Sequence, residues 1–367
     1  MRNAVRAVAC LMIGALAALL TMEALLRLLP ADRGLQTSAS TGPWPLHNFE
    51  AHRAYRYSYT WALLNAHTGT TNNYGHIAPR DFQAGSRPLI VVGDSFVESL
   101  MNDYDDTLQG ILGRQLGASH PVYGLGVSGL SASDYDVMAN QAREEFTPAA
   151  AVFLIVDGDL SESLQARPGG YVLHPAGSTF APTYIPLTPD PTMRWVREHV
   201  GEPALYGYLR GNLKFSPGDI LNAFAKGSHA AQPRPTAVGN PAAPFAVGDW
   251  FLDALPRDSG VAPGCVVLLL DADRYAIYDP EQASPAKDPA PLRAYFIDRA
   301  RTLGYHVVDM APLFRAEYAR TRLKFDYWPI DRHWNRRGHE LAAKAVMTEL
   351  FASDTGTCMP GRVASGS

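Results

Sequence analysis

The chain has 367 residues, with 32 basic and 36 acidic side chains, a net charge of −4 and 47% hydrophobic residues. That length suits one large domain or two modest ones with ample core. The acidic balance and the lack of a basic stripe argue against a nucleic-acid partner, and three cysteines without metal-site spacing offer no metal centre.

Arg2 and Arg6 precede an uncharged run, rich in Leu and Ala, from Ala7 to Met22. Glu23 interrupts it before Ala24-Leu25-Leu26-Arg27-Leu28-Leu29-Pro30 closes the segment. A spanning helix needs roughly 17–25 residues, so the uninterrupted run is marginal in length. Residues 1–30 read as an uncleaved signal anchor, with the amino terminus cytoplasmic by the positive-inside rule. A cleaved signal peptide would want small residues where Glu23, Leu25 and Arg27 stand. A buried amphipathic helix is the remaining alternative. With an anchor, the bulk of the chain lies outside the cytoplasm, where a Cys265–Cys358 disulfide is arithmetically possible. Cys265 opens the apolar run Val266–Leu270, however, and reads as a buried thiol.

Residues 31–85 are polar and aromatic, an irregular or short-stranded extension ending near the turn signal Asn72-Asn73-Tyr74-Gly75. From residue 86, strand and helix patterns alternate. Compact apolar runs mark strands at 89–93, 121–125, 150–156, 265–270 and 305–309. Helical stretches lie near 104–117, 133–146, 290–303 and 336–351. That order predicts an α/β fold with a doubly wound, mostly parallel five-stranded sheet between helices. Ligands then bind beyond the carboxyl ends of the strands.

The first of those strands ends at Gly93-Asp94-Ser95. A serine on a tight turn between a buried strand and a helix is exposed at the sheet edge, as a nucleophile must be. Gly-Asp-Ser is also a common turn tripeptide, and Ser95 can equally cap the helix. Residues 165–262 break the rhythm and are dense in Pro and Gly. They read as a cap or insertion, with short helices near 190–200 and 218–226, overhanging the site.

The last informative block is Asp326-Tyr327-Trp328-Pro329-Ile330-Asp331-Arg332-His333-Trp334-Asn335. Pro329 favours extended backbone before it, and in an extended segment side chains two apart share a side. Asp331 can then hold one ring nitrogen of His333, leaving the other free as a base. A structural hydrogen bond in a surface loop is the plainer alternative. Asn335 suits the N-cap of the helix that follows, and residues 353–367 read as a flexible tail. Trp44, Tyr55, Tyr57, Trp61, Trp195, Trp250, Trp328 and Trp334 are candidate stacking surfaces for carbohydrate, though core or cap packing accounts for most of them.

Gly93-Asp94-Ser95-Phe96 with a carboxyl-proximal Asp331-x-His333-Trp334-Asn335 resembles the SGNH (GDSL-type) hydrolase superfamily. The likeness is to its bacterial envelope branch, which includes O-acetyltransferase-like proteins of polysaccharide modification. It extends over about residues 70–352 and includes Asn73-Tyr74-Gly75, Val122–Gly129, Val308-Asp309-Met310 and Glu23–Arg27. It implies a flavodoxin-like hydrolase domain at 86–352, with Ser95 as nucleophile, His333 as base and Asp331 as its orienting partner. It further implies oxyanion donors at the Ser95 and Gly126 backbone, with Asp94, Gly158 and Trp334 against substrate and no cofactor or metal. The family's oxyanion asparagine is replaced by Gly158, and the residue two before Gly126 is Gly124 rather than asparagine. The implied activity is an esterase or O-acyltransferase on acylated carbohydrate or small esters, held to the inner membrane with its domain in the periplasm. A catalytically silent glycan-binding or scaffold domain is the alternative.

Overall fold

The computed structural model describes residues 2–38, 46, 48–187, 202–215, 240, 242–283, 285–352 and 358. The chain divides into two compact units: residues 1–35, 53–69 and 189–237 form one, and 36–52, 70–188 and 238–367 the other. This cuts across the expected succession of anchor, 31–85 extension and 86–352 domain, because the extension contributes to both units.

Unit 1 opens with α1 (Arg2–Leu28), whose apolar surface is unburied over a window long enough to cross a membrane. Behind its carboxyl end, Leu26, Ala31 and Ala204 form a small core against Leu63, Leu205 and Tyr208. An antiparallel hairpin runs through Ala54–Tyr59 and Leu64–Thr70, with Tyr55 and Tyr57 pointing inward.

Unit 2 holds five parallel strands: β1 (Leu89–Gly93), β2 (Val122–Gly126), β3 (Ala150–Ile155), β4 (Val266–Leu270) and β5 (His306–Asp309). Their spatial order is β2-β1-β3-β4-β5, so the winding reverses between β1 and β3. Alternate side chains go to opposite faces. Ile90, Val92, Ala151, Phe153, Val266 and Leu268 meet α4 (Ala132–Phe146), α5 (Ala243–Ser259) and α6 (Leu292–Thr302). Leu89, Val91, Val152, Leu154, Val267 and Leu269 meet α3 (Leu108–Leu116), α7 (Met310–Thr321) and α8 (Arg336–Ala352). Both faces are covered, which is why each strand reads as a continuous apolar run rather than an alternating one.

Three expectations need correction. The stretch 165–262, expected as a cap or insertion with short helices, carries elements that this expectation did not include. It contains an antiparallel hairpin, Tyr171–Ala176 with Thr179–Tyr184, and the core helix α5. Val247, Trp250, Phe251, Ala254 and Leu255 make the buried stripe of α5 at 3.6-residue spacing. Its prolines hid it: Pro244 sits in the first turn, where a missing N–H is harmless, and Pro256 lies in the last. The helices expected near 190–200 and 218–226 lie outside the described residues, as do Trp44, Trp195 and the tail apart from Cys358. Second, α7 was not expected; Asp309 caps it by accepting from Ala311 N–H at 2.9 Å. Third, Cys265 is no free thiol, for it pairs with Cys358 across a separation of 93 residues.

Candidate functional site

Ser95 stands where β1 gives way to α2 (Ser95–Glu98), beside the reversal of strand order. Open α/β sheets bind their ligands at that place. Asp94 precedes it as the N-cap, its carboxylate accepting from Phe96 N–H at 3.0 Å. This bond fixes the turn and leaves the Ser95 hydroxyl at the helix start.

His333 arrives from a hairpin of Asp326–Tyr327 with Asp331–Trp334. The Trp328–Pro329 peptide is cis, and Ile330 N–H donates back to the Tyr327 carbonyl. Asp331 and His333, two apart in the strand Asp331–Trp334, fall on one side of it, as their spacing predicts. His333 Nε2 lies 2.8 Å from Ser95 Oγ, and His333 Nδ1 lies 2.6 Å from Asp331 Oδ1. The same carboxylate oxygen accepts from His333 N–H at 3.0 Å. Because Asp331 can only accept, it holds the proton on Nδ1 and leaves Nε2 as the acceptor facing Ser95.

The electrostatics agree with that orientation. Burial alone would lower the His333 pKa, but the bond and charge of Asp331, with Asp94 nearby, carry it above its ordinary 6.5. Burial also works against Asp331 as a carboxylate, and the imidazolium it faces outweighs this, so its pKa is lowered. Asp94 is pushed up to about 6, chiefly by burial, with Asp271 adding repulsion. Glu98 is pushed up to about 7 by burial. It accepts from Ser128 N–H at 2.8 Å and Ser128 Oγ at 2.7 Å, tying down the loop that follows β2.

Gly126 ends β2 in register with Gly93. A Cβ there would run into the backbone of Val97 and Glu98, so only glycine lets the end of β2 approach α2 this closely. Gly158 follows β3 with φ +106°, and its N–H donates to Asp288 at 3.0 Å. The stem of Lys287 lies over it: a Cβ would stand 2.6 Å from Lys287 Cδ. Gly124 is occupied in a similar way by the Gln109 side chain. Neither glycine has a side chain to offer the amide donor that the resemblance leads one to expect there.

Trp334 was expected against substrate, and that expectation is corrected. It is fully buried, and its indole N–H donates to Asp271 at 2.8 Å. Among the other aromatic candidates, Trp250 is in the core, Tyr55 and Tyr57 are buried, and Trp328 is half-buried beneath Lys324.

The residue that sequence reasoning missed is Arg274. It is buried, bonds Asp271 at the end of β4, and reaches Asp326 Oδ2 at 3.1 Å and the Arg332 carbonyl in the hairpin. Phe96 and Phe314 lie against its guanidinium. Arg274 thus fastens the strand that carries Asp331 and His333 to the sheet. No local pattern marks it, because Asp271 lies outside the short helix that Arg274 opens, and Asp326 and Arg332 are distant in sequence.

No protein-family model matches this chain, and no curated protein matches it. Solved structures similar to it include a lipolytic protein of the G-D-S-L family from Veillonella parvula, at 12% identity and a TM-score of 0.37 over 72% of this chain and 98% of that one. A lipase/acylhydrolase from Enterococcus faecalis shows 13% identity and a TM-score of 0.37, over 76% of this chain and all of the other. An acetyl xylan esterase from Geobacillus stearothermophilus shows 13% identity and a TM-score of 0.35, over 73% and 96% of the two chains.

Proposed function

We propose that this chain is an SGNH-type serine esterase or O-acyltransferase, anchored in a bacterial inner membrane with its catalytic unit in the periplasm. The observation that carries the reading is the unbroken relay from Ser95 Oγ through His333 to Asp331 at the carboxyl end of β1. Ser95 Oγ attacks the ester carbonyl carbon while His333 Nε2 takes its proton. Negative charge then gathers on the former carbonyl oxygen, where the backbone N–H groups of Ser95 and Gly126 stabilise it. Collapse expels the alcohol, which recovers the proton from His333, and leaves an acyl-Ser95. Water completes hydrolysis, or a sugar hydroxyl completes transfer, through the same base. Acyl (acetyl) esters of envelope carbohydrate are the proposed substrates, and no step calls for a cofactor.

Two features support the compartment. The exposed apolar helix α1 can cross a bilayer, and the Cys265–Cys358 bridge belongs to an oxidising environment.

A second reading, a silent glycan-binding or scaffold domain, is favoured by Gly158. A missing oxyanion donor costs about a hundred- to thousandfold in rate. Fluorophosphonate labelling of the purified full-length protein in detergent decides between them. The hydrolase reading expects labelling of wild type that disappears in Ser95→Ala. Absence of labelling in folded wild type would establish the silent reading instead.

A further inference from the structure

Unit 1 carries exposed aromatic and apolar side chains on the elements bound to the carboxyl end of α1. Trp61, at the tip of the Ala54–Tyr59 and Leu64–Thr70 hairpin, is 74% exposed. Leu64, Tyr206, Leu213 and Phe215 are exposed as well. Hydrogen bonds fix these elements to the helix end. The Glu23 carboxylate accepts from Ala204 and Leu205 N–H at 3.0 and 2.9 Å. Ser58 Oγ donates to the Pro30 carbonyl at 2.6 Å, and Asp32 N–H donates to Asn212 Oδ1 at 2.9 Å. Tyr208 Oη donates to the Trp61 carbonyl at 2.9 Å.

Glu23 sets the level. A carboxylate engaged with backbone amides of the folded unit belongs outside the hydrocarbon. The uncharged run from Ala7 to Met22, bounded by Arg6 and Glu23, spans about 24 Å at 1.5 Å per residue, and the long Arg6 side chain carries its charge to the opposite face of a layer about 30 Å thick. Leu26, against which Leu63 and Tyr208 pack, then stands about 5 Å further out, within the headgroup region. Tryptophan and tyrosine settle in that region because it wets one end of the ring and buries the other. Exposed Arg27, Arg210 and Lys214 lie on the same segments, placed to meet lipid phosphates.

We propose that unit 1 is a membrane-seated collar, with Trp61, Leu64 and the 204–215 segment inserted at headgroup level in the non-cytoplasmic leaflet crossed by α1. This rests on the reading of α1 as a membrane anchor and is independent of any catalysis.

The test uses the full chain with Cys10→Ser and Ala62→Cys, labelled with an NBD fluorophore without reductant and reconstituted in phosphatidylethanolamine/phosphatidylglycerol vesicles. A parallel label at Lys214→Cys guards against a local effect at the hairpin tip. A nitroxide near the headgroup should quench both labels at least about twofold more than one near the chain terminus. Unquenched labels on protein that resists carbonate extraction would overturn the collar and leave the anchor standing. Quenching by the deep nitroxide alone would also overturn it. Release by carbonate would overturn the anchor reading and the collar together.

Discussion

His333 is held between two opposing influences, and the balance sets a measurable pH dependence. Burial disfavours its imidazolium, while Asp331 favours it more strongly, so the pKa lies above 6.5. In the proposed mechanism His333 must be neutral to accept a proton, so activity is expected to fall as pH drops through that raised value. In Asp331→Asn the attracting charge is gone and the acidic limb moves to lower pH. The rate on p-nitrophenyl acetate should meanwhile fall by roughly 10⁴, because the amide no longer selects the Nδ1–H tautomer. Gly158 makes a different prediction at the same scale. Placing with Gly158→Asn the asparagine that SGNH hydrolases carry should give no gain in hydrolysis, against the about hundredfold that a placed donor contributes. At φ +106° a side chain is strained, and Lys287 fills the space it would enter. A large gain in kcat would refute that account.

At the scale of elements, the site depends on a hairpin fastened by a buried guanidinium. Arg274 neutralises Asp326, whose side chain has no exposure, and holds the Arg332 carbonyl next to His333. Arg274→Met removes one partner of a buried pair and strands the other, which costs about 3–5 kcal/mol. A urea melt measures the loss. The fluorophosphonate labelling rate of Ser95 should fall too, even where the variant is fully folded, because Arg274 positions the strand bearing Asp331 and His333. Unchanged labelling would assign Arg274 to stability alone. Asp331 and His333 were legible in the sequence because a spacing of two places side chains on one side of a strand. Arg274 was not, because its partners lie up to 58 residues away and only packing brings them to it.

For the whole molecule, the bridge between Cys265 and Cys358 closes a loop of 93 residues and ties the end of the chain to the start of β4. Cross-links of that span restrict the unfolded chain strongly, so reduction or paired Cys→Ser substitution should cost about 2–5 kcal/mol of stability. Thermal unfolding with and without dithiothreitol checks this, and an unshifted transition would deny the bridge a stabilising role. The two units also show where a linear reading fails. The composition of residues 31–85 predicts one extension, yet its described parts divide between the unit that holds the sheet and the unit that holds α1. No local signal marks that division, because it is set by which distant segments each piece packs against.

The five strands and the Ser95 turn were fixed by local chemistry: buried parallel strands need unbroken apolar runs, and a tight turn needs Gly-Asp-Ser or its like. The same holds for the spacing of Asp331 and His333. Only the tertiary structure decided that His333 Nε2 meets Ser95 Oγ across 238 residues, that Trp334 faces the core and that Lys287 covers Gly158. Those outcomes depend on burial and on contacts between distant segments, and neither quantity exists until the chain is packed.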